Sequence, residues 1–183
     1  APIPDNLTLF IVNSNVKRGL VDSAYNLRRQ QCEAVAKYFG VSALREVTME
    51  QLTAAKMKIE PELFKRARHV VSESARAEST LKALKTNDMA TISAEMKASH
   101  ISLRDDFEVT TKEMDGLVDM IDSVLGDLGG VRMTGGGFGG CVVALVPNDL
   151  VTKVTDIINS KYEQEFGLNP SIYHCNASQG AFR

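Results

Sequence analysis

The segment Thr134-Gly-Gly-Gly-Phe-Gly-Gly-Cys141 constrains this chain more than any other stretch. Five of the six residues from Gly135 to Gly140 are glycine. Glycine is required where φ is positive or where a backbone or ligand approaches closely. A two-residue hairpin turn needs only about one or two glycines. The loop is therefore either ligand-facing or a seam that lets two layers meet. It lacks the Gly-Lys-Ser/Thr ending of a phosphate-binding P-loop. It also leads into an apolar segment, Cys141–Val146, and not into a helix whose free N–H groups and positive end favour phosphate. It offers backbone N–H groups only, so it does not read as the main cradle of a nucleotide.

The periodicities on either side define the elements. Leu7–Val12 is a short apolar run between polar turns and reads as a buried strand. Ser23 can cap a helix that runs to about Phe39 and stops at Gly40. On that helix Tyr25, Cys32, Val35 and Phe39 share one side, and Arg28, Arg29, Gln30 and Glu33 fall mostly on the other. Pro61 suits the first turn of a long helix, with Leu63, Ala67, Val70, Ser74, Ala77, Leu81 and Leu84 as its stripe. Asn87-Asp88 breaks that helix and can cap a second, with Ile92, Met96, Ser99 and Leu103 inward. Thr110 with Glu113 has the capping-box pattern for a third, with Met114, Leu117, Val118, Ile121 and Leu125 inward.

Val131–Met133 reads as a short strand, and Cys141–Val146, apolar on both faces, as a central one. Asn148 can cap a helix with Leu150, Val154, Ile157 and Ile158 inward, stopped by Gly167. Ser171–Cys175 is a last strand. The order predicts an α+β fold, a small, largely antiparallel sheet with helices on one face and a helical insertion. The whole chain, 1–183, reads as one domain.

Composition excludes several classes. The net charge is -2, with 21 basic and 23 acidic residues, so nothing forecasts a nucleic-acid partner. Lys17–Arg18, Arg28–Arg29 and Lys65-Arg66-Ala67-Arg68 read as solvated helix faces. The longest apolar run, Cys141–Val146, is too short to span a bilayer. Cys32, Cys141 and Cys175 are odd in number and widely spaced, which argues for free thiols in a reducing compartment. No zinc spacing or signal peptide is present, and a cytoplasmic location is expected.

Among candidate chemical groups, Asp105 and Asp106 are adjacent on a helix and point about 100° apart, so they do not converge on one substrate atom. His69, His100 and His174 have no partner at metal-ligand spacing. Tyr25 lies near a helix start after a polar loop. From the residues alone it reads as a core or rim tyrosine; if buried, its hydroxyl needs a partner, which a ligand hydroxyl could supply.

The stretch Gly129-Gly-Val-Arg-Met-Thr-Gly-Gly-Gly-Phe-Gly-Gly-Cys141 resembles the third motif of GHMP kinases in its galactokinase form. So do Asn13-Ser-Asn-Val-Lys-Arg18, Ser23-Ala-Tyr-Asn-Leu-Arg-Arg-Gln-Gln-Cys-Glu33, Arg66-Ala-Arg-His-Val-Val71, Ser99-His-Ile-Ser-Leu-Arg-Asp-Asp-Phe107 and Ser178-Gln-Gly-Ala181. The blocks run in the family's order and cover essentially the whole chain.

The resemblance implies a GHMP-kinase C-terminal domain with a ferredoxin-like core. It implies that an N-terminal half of the same protein carries the ATP loop, the magnesium ligands and the catalytic aspartate and arginine. The implied reaction moves the γ-phosphoryl group of ATP to the anomeric hydroxyl of α-D-galactose, with ATP and Mg2+ bound mainly by that other half. Tyr25 matches the family tyrosine that bonds galactose. Gly135, Gly136, Gly137, Phe138, Gly139 and Gly140 match the loop at the active-site cleft, while Arg104 and Asp105 match structural positions. No catalytic or metal-binding residue is expected within this chain, which by itself should be inactive. Related alternatives are a sugar- and ATP-binding sensor, another GHMP small-molecule kinase, and a ferredoxin-like regulatory domain.

Overall fold

The computed structural model describes residues 3–17 and 21–175, with side chains from residue 24 onward in the first helix. The Ser178–Ala181 block and the side chain of Ser23 lie outside the described residues. Four strands form one sheet: β1 (Leu7–Asn13), β2 (Gly130–Thr134), β3 (Cys141–Pro147) and β4 (Ser171–Cys175). Their spatial order is β2-β3-β1-β4, and every neighbouring pair is antiparallel. Phe10 faces Ala144, and Val12 faces Val142. Met133 pairs with Val142 and Val131 with Ala144. Alternate residues of three strands therefore line one face. This is the small antiparallel sheet with a ferredoxin-like strand order that was expected, but helices do not keep to one face. Leu7 and Leu145 on the opposite face pack with Ala83, Ile92 and Met96 in a separate core.

Among the described residues six α-helices accompany it: α1 (Val21–Phe39), α2 (Met49–Ala54), α3 (Pro61–Thr86), α4 (Met89–Ser102), α5 (Lys112–Leu125) and α6 (Val151–Phe166). The main core joins Phe10, Val12, Val131, Met133, Val142, Ala144 and Val146 to Met114, Leu117 and Ile121 of α5 and Val154, Ile158 and Tyr162 of α6. Each such fully buried apolar side chain contributes about 1.5–3 kcal/mol. A second core lies under α1, α2 and α3 and contains Val35, Ala36, Leu52, Phe64 and Ala67.

The inward faces expected for α4 and α5 are buried as the spacing predicts. Gly40 and Gly167 end α1 and α6 in the left-handed conformation. Asn87 does the same for α3, and Asp88 then caps α4 through the Thr91 amide at 3.1 Å.

Four local expectations need correction. α1 begins at Val21, so Ser23 lies inside it. The cap of α5 is Thr111, whose hydroxyl accepts from the Met114 amide at 3.4 Å, one residue after Thr110. Asn148 caps nothing. Its amide donates to the Asp5 carbonyl at 3.1 Å and its oxygen accepts from the Thr8 hydroxyl at 2.9 Å, pinning β3 to the start of β1. On α3 the stripe holds only in its first half. Ser74, Ala77 and Leu81 are exposed, and Phe64, Arg66, His69 and Val71 are buried in their place.

Candidate functional site

The glycine loop joins β2 to β3 and is two-sided. On its inner side, a Cβ on Gly137 would run into the Val109 carbonyl and side chain, and φ there is +84°. Only glycine meets both demands. The Phe138 amide donates to the Val109 carbonyl at 2.6 Å. Phe138 itself has a left-handed backbone, φ +57°, at a cost of order 1–3 kcal/mol for a residue of this kind. Its ring packs against the main core, which offsets that cost. Next, a Cβ on Gly139 would press on Val16 at 3.3 Å, and the Gly140 carbonyl accepts from the Ser14 amide and hydroxyl, both at 2.8 Å.

The outer side is open. A Cβ on Gly135 would meet nothing within 4 Å, and one on Gly136 would meet only the Tyr25 ring, 3.9 Å from Cδ2. Tyr25 is 53% exposed, so it is not a core tyrosine. Two sequence features separated by more than a hundred residues thus stand side by side. Gly137 and Gly139 let the backbone pack, and Gly135 and Gly136 leave space beside an exposed tyrosine.

The basic clusters behave differently from their sequence reading. Arg66 is 1% exposed and Arg28 is 9% exposed, so neither is a solvated residue. Both serve the five residues after α4, Leu103–Phe107, which wind as a π-turn. Arg66 donates to the Asp106 carbonyl, and to the Glu62 and Glu108 carboxylates at 2.9 and 2.8 Å. Arg68 pairs through two nitrogens with the Asp106 carboxylate, its Nε at 3.0 Å from Oδ2. Asp106 also accepts from the Ser102 hydroxyl at 3.2 Å, and Ser102 meets His69 Nδ1 at 3.0 Å. The His69 ring stacks on Phe107 with centroids 4.4 Å apart. Burial lowers the His69 pKa to about 4, so this ring is neutral near pH 7. The hydrogen bond from Arg66 holds the Glu108 carboxyl below its usual range.

Asp105 diverges from Asp106, as the 100° step requires, and pairs with exposed Arg104 at 2.8 Å. His100 lies elsewhere. Its Nδ1 accepts from the Met133 amide at 3.3 Å, and its Nε2 lies 3.3 Å from Asp115 Oδ1. Among the described residues no three His, Cys, Asp or Glu side chains converge to hold a metal ion.

The residues that sequence reasoning missed are Arg28, Arg66, Glu108 and Val109. The available signal was the pairing of two blocks, Arg66–Val71 and Ser99–Phe107, which the fold brings into contact.

The family described as GHMP kinases C terminal matches residues 80–164. A galactokinase from Actinobacillus succinogenes is 50% identical over 182 residues, which is 98% of this chain and 47% of that protein. The crystal structure of Lactococcus lactis galactokinase complexed with galactose superposes with a TM-score of 0.88 at 34% identity. It covers 96% of this chain and 46% of that one. The L. major mevalonate kinase in complex with R-mevalonate shares the fold, with a TM-score of 0.58 at 16% identity over 94% of this chain and 43% of that one. The chain spans about half the length of the relatives it matches. Residues 80–164 thus match the GHMP kinase C-terminal family, and the chain is similar over nearly all of its length to the C-terminal part of galactokinases.

Proposed function

We propose that this chain forms one wall of the active-site cleft of a galactokinase. The parent enzyme transfers the γ-phosphoryl group of ATP to the anomeric hydroxyl of α-D-galactose, giving galactose 1-phosphate. The observation that carries the reading is the exposed Tyr25 ring against Gly136, on the open side of the glycine loop. The 50% identity to a galactokinase supports it.

In this reading the Tyr25 hydroxyl bonds the sugar and helps to orient it. Gly135 and Gly136 leave room for the substrate because they carry no side chain. Phosphoryl transfer depends mainly on placing the reacting oxygens in line and on stabilising the charge that spreads over the transferred group. ATP and Mg2+ supply the phosphoryl group and neutralise that charge. By the resemblance to galactokinases, this reading assigns the magnesium ligands and the catalytic base to the other half of the parent protein. A cytoplasmic site of action is supported by three free cysteines. No helix among the described residues is long and apolar enough to cross a membrane.

The test is Tyr25→Phe in the parent enzyme. Loss of one neutral hydrogen bond should weaken galactose binding by roughly 0.5–1.5 kcal/mol. An unchanged galactose affinity would remove Tyr25 from the site. A substrate panel including N-acetylgalactosamine and mevalonate checks the sugar assignment.

A further inference from the structure

We propose that Arg28 is a positioning residue of the sugar site, holding the turn of α1 that carries Tyr25 in register with the glycine loop. The inference rests on Tyr25 being a sugar contact. Tyr25 and Arg28 are three residues apart on α1, hence close to one face of one turn, and not on opposite sides as the sequence pattern suggested. Tyr25, Asn26 and Leu27 are all exposed, and Arg28 is the first buried side chain of α1 among those described. The apolar residues that fasten α1 to α3, namely Cys32, Val35, Ala36 and Phe39, all follow Arg28. Among the described residues, then, the turn bearing Tyr25 is anchored by a guanidinium and not by a core.

That guanidinium grips the backbone that also holds the loop. Arg28 Nε donates to the Phe107 carbonyl at 2.6 Å, and Nη2 reaches the Glu108 carbonyl at 3.4 Å. One residue further, the Val109 carbonyl takes the Phe138 amide at 2.6 Å. Phe107–Val109 is thus a three-residue rail with Tyr25's helix on one end and the glycine loop on the other. The rail itself is stiff. The Val109 amide returns to the Leu103 carbonyl at 3.1 Å, and Arg66 braces the Asp106 carbonyl and the Glu108 carboxylate. A planar guanidinium can hold two carbonyls and Gln31 together, which a lysine ammonium cannot do in the same geometry.

The experiment is Arg28→Lys in the parent enzyme, read against Tyr25→Phe and the double variant. Arg28→Lys should raise the KM for galactose by about tenfold, because small displacements of a substrate-positioning group are costly. The KM for ATP should move less than about twofold. In the double variant, Tyr25→Phe should have a smaller effect than it has alone, because the tyrosine is already displaced. A lowered melting temperature with an unchanged galactose KM would mark Arg28 as merely structural and overturn the proposal. Strict additivity in the double variant would overturn it as well. Should Arg28→Lys not fold, Gln31→Ala, which frees Arg28 Nη1, should raise the galactose KM in the same direction, and no shift would overturn the idea. If Tyr25→Phe alone leaves galactose affinity unchanged, the sugar-site reading fails and this inference fails with it. If Tyr25→Phe weakens binding and Arg28→Lys does not, the sugar-site reading stands and only the inference fails.

Discussion

The Phe138 amide is hydrogen-bonded to the Val109 carbonyl at 2.6 Å, and this bond ties the glycine loop to the segment between α4 and α5. It crosses from a β-hairpin connection to a helix connection, and the Cα of Gly137 fits against the same carbonyl. The loop is therefore a seam on one side and an open surface on the other.

That division predicts opposite outcomes for two neighbouring glycines. Gly137→Ala adds a methyl against the Val109 backbone at a left-handed φ and should cost about 2–4 kcal/mol of stability. Gly136→Ala meets only the Tyr25 ring at ordinary contact distance. It should change stability by less than about 1 kcal/mol while lowering galactose affinity in the parent enzyme. Urea unfolding of both variants checks the contrast, and equal losses would contradict the two-sided loop.

Two helical arginines, Arg66 and Arg104, should differ sharply. Arg66→Met removes a fully buried cation and leaves the Asp106 carbonyl without its donor, while Glu108 keeps only its looser pairs with Lys65 and Arg28. A loss of about 3 kcal/mol is expected. Arg104→Ala removes an exposed pair with Asp105 and should cost under about 1 kcal/mol. Denaturant midpoints measured side by side decide this.

His69 makes stability depend on pH. Its folded pKa, about 4, lies below the unfolded value of 6.5 because burial disfavours the cation. Between these values the unfolded chain binds the extra proton, so stability falls as pH drops from about 6.5 to 4. The loss from this group is roughly 3 kcal/mol at most. Unfolding measured at pH 7 and pH 5 should show the decline, and His69→Phe should flatten it. An unchanged slope in that variant would assign the decline to other groups.

Cys32 should be chemically quiet in the folded chain. Burial pushes its thiol up to about 11, so almost none is thiolate at pH 7. An aromatic disulfide reagent should modify Cys32 much more slowly in the native protein than after unfolding. Rapid labelling of Cys32 in the native state, located by peptide mapping, would contradict its burial.

Much of the architecture was legible because its signals are local. Period-two and period-3.6 patterns identified all four strands and the inward faces of α4 and α5. Glycine and Asn87-Asp88 marked helix ends because backbone geometry demands such residues there. The stripe on α3 fails at Ser74, Ala77 and Leu81, which are exposed, while that half of the helix packs through Ala83 and Leu84, and spacing alone cannot tell a buried alanine from an exposed one. Thr110 and Asn148 are not the caps their spacing suggests, because several hydroxyl or amide side chains near a helix start satisfy the same pattern.

The amino-acid sequence by itself determined the α+β class, the strand at each end, and the glycine loop that opens no helix. Only the tertiary structure decided what the loop does on each side and what the arginines are for. Arg28, Arg66 and Arg68 find partners 38 to 80 residues away, and no periodicity encodes such pairings. A charged side chain is stable in the interior only where folding delivers its hydrogen-bond partners. The burial of Arg66 and the placing of Tyr25 beside Gly136 were therefore settled by the fold and not by local pattern.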